Sequence, residues 1–187
     1  MPGFDHFNLI GPFYDLIFGR KKDIEVITRV EAGQNDRVLD VGGGTGRVAV
    51  LFKSITTNIV IVDSARKMLQ QADEKGIACV QSESENLPFS ELSFDRIVMV
   101  DALHHVIDQK KTLDEMWRLL APGGKIVIEE GDIQNWLVKL VALGEKCLFM
   151  RSHFLKAHQI EMMCHFDETV SVEISRKNGV VWVIISK

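Results

Sequence analysis

Residues 38–46 read Val-Leu-Asp-Val-Gly-Gly-Gly-Thr-Gly, a short apolar run that ends in an acid and turns at once through glycines at 42, 44 and 46. Glycine takes positive φ and carries no Cβ, so another molecule can lie against its backbone. A helix beginning near Thr45 would aim its free amides at the turn. Such a turn suits a nucleotide-type cofactor, although similar turns also serve as plain connectors between a strand and a helix. A phosphate-binding P-loop would close on Gly-Lys-Ser/Thr, whereas Gly46 is followed by Arg47 and Val48. A dinucleotide fingerprint GxGxxG would need glycine where Arg47 stands, and Arg is a poor fit where helix and strand must pack closely.

Further residues along the chain extend this chemistry. Asp63 closes the next apolar run, and an acid there can accept hydrogen bonds from two ribose hydroxyls. A helix cap or a solvated loop acid is its plain structural alternative. Glu83-Ser84-Glu85-Asn86-Leu87-Pro88-Phe89 follows a third apolar run, and Asp101-Ala102-Leu103-His104-His105 follows a fourth. Adjacent histidines can supply a base, and they also serve as local hydrogen-bonding groups in loops. His153, His158 and His165 lie near Cys164 and read as ordinary surface or packing residues, so no metal ligand set is assigned. Cys164 has no identifiable activating partner for a nucleophilic role.

The elements that must position these residues alternate between short apolar strands and amphipathic helices, which argues for a parallel α/β sheet. Strands are expected at Arg37–Val41, Asn58–Val62, Ile77–Val80, Phe94–Val100 and Lys125–Glu129. Thr45–Ser54 is expected to be helical. Ser64 can cap a helix carrying Ala65, Met68, Leu69 and Ala72 on one face. Asp108 caps another, with Leu113, Met116, Trp117 and Leu120 as its core stripe, stopped by Ala121-Pro122-Gly123-Gly124. Glu168–Arg176 and Val180–Lys187 flank Asn178-Gly179, a pair suited to a type I′ turn, so the last two strands form an antiparallel hairpin.

Composition bounds the rest. The 187 residues suit one domain, with 46% hydrophobic and 26% charged residues. A net charge of −4 disfavours a nucleic-acid substrate. Cys79, Cys147 and Cys164 form no CxxC, so neither a zinc site nor a disulfide framework is expected, and a reducing cytoplasm fits. No secretory signal is evident at residue 1. Phe4, Phe7, Phe13, Tyr14 and Phe18 crowd the first residues, and residues 1–30 read as a lid. Residues 132–165 read as a helical cover. Its apolar part, Ile133–Met150, is broken by Lys139, Glu145 and Lys146, so no membrane span is expected, while the Trp136–Met150 face is a candidate homodimer contact.

The Asp40-to-Gly46 turn resembles the first motif of the class I S-adenosylmethionine (SAM) methyltransferases. The Glu83–Phe89 segment, Ser93-Phe94-Asp95 and the strand after them resemble the ubiquinone/menaquinone-biosynthesis type of that family. Leu119–Lys125 matches its last internal turn, and the likeness spans roughly residues 37–130. The resemblance implies a Rossmann-like, seven-stranded, mostly parallel sheet with helices on both faces and a C-terminal antiparallel hairpin. It implies SAM as cofactor and in-line methyl transfer to a small, apolar or aromatic acceptor. By that likeness Asp40 orients the methionine end while Gly42 and Gly44 let the cofactor lie on the backbone. Asp63, with Ser64 beside it, meets the ribose. Glu83 takes the adenine amino group, although the family more often has Asp there, and Ser84 offers its amide to the ring. Carbonyls near Val100 and Asp101 take the ammonium, and Tyr14 is a candidate cation–π partner for the sulfonium. His104 or His105 faces the reacting side, with His104 the leading base candidate. Two other readings compete: a non-catalytic SAM-binding protein, and an NAD-dependent oxidoreductase, which would need a third glycine near 47 and a hydride-handling pair.

Overall fold

The buried apolar runs form strands that lie at the centre of one sheet. In the computed structural model, residues 23–136, 138, 139, 143, 152–168 and 170–187 are described. Val38–Val41 (β1) is buried at every position, as a strand covered on both faces must be. Ile59–Asp63 (β2), Ala78–Gln81 (β3), Phe94–Val100 (β4) and Leu120–Gly131 (β5) run parallel to it. Ser171–Lys177 (β6) and Val180–Ser186 (β7) form an antiparallel hairpin. Its turn has positive φ at both Asn178 and Gly179, as a type I′ turn requires. The order across the seven-stranded sheet is β3-β2-β1-β4-β5-β7-β6, so β7 pairs antiparallel with β5 and β6 forms the edge.

Alternate side chains along each strand feed opposite faces. On one face Val38, Ile61, Val98, Val127 and Trp182 pack under Val26 and Val30 of Asp23–Val30 (α1), Phe52 of Ala49–Phe52 (α2), and Leu69 and Ala72 of Arg66–Glu74 (α3). On the other, Leu39, Ile97, Met99, Ile126, Ile128 and Val183 meet Leu113, Met116 and Leu119 of Gln109–Leu119 (α4) and Ala157 and Ile160 of Ala157–Met163 (α5). Asp108 caps α4, its carboxylate accepting from the Lys111 amide at 3.0 Å. The order of strands across the sheet reverses between β1 and β4, the place where open α/β sheets bind ligands at their carboxyl ends.

Three local expectations are corrected. The helix expected over Thr45–Ser54 is regular only at Ala49–Phe52, because Gly46 sits at φ +79 and no right-handed helix passes through that dihedral. Ser64 does not cap α3. The N-cap is Ala65, with no side-chain cap, and Asp63 Oδ1 instead accepts from the Ala65 amide at 2.8 Å. Leu120 leaves the helical stripe and opens β5, whose register against β4 slips between Phe94 and Arg96 to accommodate the Pro-Gly-Gly stretch.

The lid at residues 1–30 is described only from Asp23, as α1, which covers the sheet; Tyr14, like Cys147, lies outside the described residues. The cover at 132–165 is described in part, with Trp136 and Leu143 exposed and α5 packed on the sheet. No helix among the described residues is long and apolar enough to cross a membrane.

Candidate cofactor site

A cleft of about 220 Å³ opens at the carboxyl ends of β1, β2 and β4. The turn after β1 forms its floor. Gly42 donates its amide to the Val62 carbonyl at 2.7 Å, which ties the turn to β2. Gly42 has φ +70, and a Cβ built there would lie 2.6 Å from the Ala102 Cβ. Gly44 has φ +52 and faces Asp63 and Met68. Asp63 Oδ2 accepts from the Gly44 amide at 2.9 Å. One carboxylate therefore braces the glycine turn and the start of α3 together.

Asp40 lies beneath the turn. It is 1% exposed, and its Oδ2 has no hydrogen-bond partner. Burial pushes its carboxyl up to about 7, against the opposing pull of Arg47, with the nearby Asp63 charge adding to the rise. The native protein thus holds a proton that the unfolded chain releases near 3.8. Stability from this group is fully present below pH 4 and is lost as pH rises through about 7. Asp40→Asn is expected to flatten that slope, gaining up to about 4 kcal/mol over the wild type above pH 8. Urea melts from pH 4 to 8 check this, and parallel pH profiles for the two proteins would refute it.

Glu83 is exposed and lines the cleft with Ser84. The Ser84 hydroxyl lies 3.0 Å from that of Thr112. Glu85 is structural: its Oε1 accepts from the Ile107 and Asp108 amides at 2.9 and 3.1 Å. Asp101 stands at φ +50 and donates its amide to the Glu129 carbonyl.

The structure brings Asp40, Gly42, Gly44, Asp63, Ser64, Glu83, Ser84 and Asp101 to the wall of one cleft. His104 is not on that wall. It is 5% exposed, its Nδ1 lies 2.5 Å from Glu130 Oε2, and its ring stacks on Phe154 at 4.1 Å. Glu130 Oε1 also accepts from the Leu103 amide at 2.6 Å. His105, one residue on, lines the cleft. Sequence reasoning missed Glu130 and passed over Arg47, which also lines the cleft, 3.8 Å from Asp101. Arg47 carried one signal, its place directly after the last glycine. Cys164 is buried, and burial pushes its thiol up to about 12, which suits packing rather than nucleophilic attack.

These residues fit an adenosyl cofactor with a cationic methionine end. An acid on β2 matches a ribose diol, the glycine turn admits a ligand to the backbone, and the unpartnered Asp40 oxygen suits a nearby cation or bridging water. Comparison with known proteins agrees. Residues 39–128 match the family described as "Methyltransferase domain". The ubiquinone/menaquinone biosynthesis C-methyltransferase UbiE of Haemophilus ducreyi is 36% identical over 112 residues, 54% of this chain and 42% of that one. Its counterpart in Geotalea daltonii is 30% identical over 142 residues, 66% of this chain and 60% of that one. The chain thus spans about half the length of these relatives. A SAM-dependent methyltransferase from Thermotoga maritima shares the fold with a TM-score of 0.78 at 22% identity, over 96% of this chain and 97% of that one. These likenesses do not favour an NAD oxidoreductase. The acid–glycine turn, the strand order and the matched residues together show a methyltransferase domain over residues 39–128, similar to the class I SAM-dependent methyltransferases and to sequences of the ubiquinone/menaquinone-biosynthesis type.

Proposed function

We propose that this chain catalyses SAM-dependent methyl transfer to a small apolar or aromatic acceptor, with a quinol-like ring as the first candidate. The observation that carries this reading is the cleft itself, where an acid, a glycine turn and a second acid converge at the reversal point of the sheet. Bound SAM supplies a methyl group already attached to a good leaving group. The protein's task is then to hold two reactants in line and keep water out, and alignment of this kind can contribute on the order of 7–11 kcal/mol. Asp63 holds the ribose, the Glu83–Ser84 loop holds the adenine, and the Gly42–Gly44 backbone bears on the methionine end. Asp40 favours a cationic ligand, so binding draws its carboxyl toward the ionised form. Where the acceptor carries a proton of high pKa, His105 is the base candidate. His104, fixed by Glu130 and Phe154, shapes the turn that presents it.

The net charge of −4 supports a small-molecule acceptor over a nucleic acid. Exposed Trp136 and Leu143 support a homodimer contact at the cover, and the cysteine usage supports a cytoplasmic setting. Incubation with methyl-labelled SAM and a demethylated quinol, beside a mixed extract of aromatic metabolites, is expected to yield labelled organic-soluble product. Label that never leaves SAM, despite calorimetric binding of the demethylated cofactor, would favour a non-catalytic SAM-binding protein. Absence of binding to either cofactor form would end the proposal.

A further inference from the structure

Two residues off the cleft wall hold the turn that carries His105. Glu130, on β5, is one. Its Oε1 accepts from the Leu103 amide at 2.6 Å and its Oε2 lies 2.5 Å from His104 Nδ1. Gln109, the first residue of α4, is the other. Its Nε2 donates to the Leu103 carbonyl at 3.0 Å and to the His153 carbonyl at 2.8 Å, so one side-chain amide bridges the turn to a segment 44 residues further along the chain. The His153 amide in turn donates to the His104 carbonyl at 2.7 Å. Rings complete the contact. The His104 ring meets Phe154, stacked at 4.1 Å, and His105, tilted at 3.9 Å. Gly131 leaves room for Phe154, since a Cβ there would lie 3.4 Å from the Phe154 Cε1. Neither Gln109 nor Glu130 lines the cleft, whereas His105 does.

We infer that Gln109 is a positioning residue for methyl transfer: by tying the Leu103 carbonyl to the His153 carbonyl, it fixes the turn on which His105 is presented to the acceptor. This rests on the methyl-transfer reading, in which His105 takes the acceptor's proton. A base on a short turn acts only if it is well placed, and an error near 1 Å can cost about a hundredfold in rate. Glu130 secures the Leu103 amide and the His104 ring, but it leaves the carbonyls of both residues to other partners. Gln109 takes one of those carbonyls and the His153 amide takes the other. The turn is thus gripped from β5 through its amide side and from α4 and residues 152–154 through its carbonyl side. A primary amide suits this bridge because its one nitrogen carries two N–H groups, and two carbonyls use both. The competing view makes Gln109 part of the start of α4 and nothing more, so that its replacement would act through the helix.

Two variants of the full chain separate these views. Gln109→Glu keeps the shape of the side chain, removes both donors and sets an acid in the first turn of α4, where negative charge favours a helix. Gln109→Met removes the donors without adding charge. In both, kcat with the demethylated quinol is expected to fall by at least about tenfold, while S-adenosylhomocysteine binds within about twofold of wild type. Hydrogen exchange gives a readout that needs no acceptor. Peptides over residues 103–106 and 152–156 should exchange about tenfold faster in both variants, with α4 and β4 as protected as before. Unchanged exchange in those two peptides, or an unchanged kcat, overturns the inference and leaves the methyl-transfer reading intact. A joint loss of kcat, cofactor affinity and α4 protection assigns Gln109 to the helix start and overturns it as well. Faster exchange in the variants, beside a wild type that binds S-adenosylhomocysteine but methylates neither the quinol nor the metabolite extract, overturns the role in transfer together with the methyl-transfer reading.

Discussion

Gly42→Ala is expected to cost about 2–5 kcal/mol of folding stability and to abolish cofactor binding. Two terms add. An L residue at φ +70 occupies the left-handed region, at about 1–2 kcal/mol. The new methyl group would also lie 2.6 Å from the Ala102 Cβ, closer than two carbons can approach, so the turn or the segment after β4 must move. Both form walls of the cleft. Gly123→Ala is the natural control. Gly123 has φ +75, but a Cβ there meets nothing within 4 Å, so only the dihedral cost applies. Denaturant melts of the two variants isolate the steric part. Should Gly42→Ala prove no worse than Gly123→Ala, the close packing of the glycine turn on Ala102 would be refuted.

The second large effect is expected at Asp63. Asp63→Ala should weaken cofactor binding by at least about 1 kcal/mol and up to about 3, since hydrogen bonds to a charged acceptor are among the stronger ones. It should also lower stability, because the Gly44 and Ala65 amides lose their shared acceptor. A thermodynamic cycle separates the two consequences. An adenosyl ligand lacking the ribose 2′-hydroxyl should bind the wild type more weakly than its parent, yet bind Asp63→Ala equally well with or without that group. A hydroxyl that matters equally to both proteins would leave Asp63 as a brace for the turn and nothing more.

The sheet was legible because strands buried on both faces must be apolar throughout. Ile59–Val62 and Ile97–Val100 announce themselves for that reason. The hairpin was legible because Asn-Gly is nearly the minimal chemistry for positive φ at two adjacent positions. Helix limits were less so. Val48, Leu51, Phe52 and Ile55 keep helical spacing, but the conformation of Gly46 overrides it, and a spacing pattern carries no dihedral information. The cleft's acids were readable from their places at strand ends. The setting of His104 was not, because its partner Glu130 comes from another strand 26 residues away. Arg47 was read only as a break in a glycine pattern, because its approach to Asp101 depends on a different strand.

The place of β7 governs when this molecule can become itself during synthesis. The ribosome makes residues 180–186 after the other six strands of this sheet, yet they lie inside it, between β5 and β6, with Trp182 sealed in the core. Until they emerge, the edge of β5 carries Ile126, Val127 and Ile128 with unmet backbone groups, an adhesive margin for any neighbouring nascent chain. Closure of the nucleotide half can proceed early, but protection of that margin waits for the β6–β7 hairpin, and until then the edge of β5 is open to association with other strands.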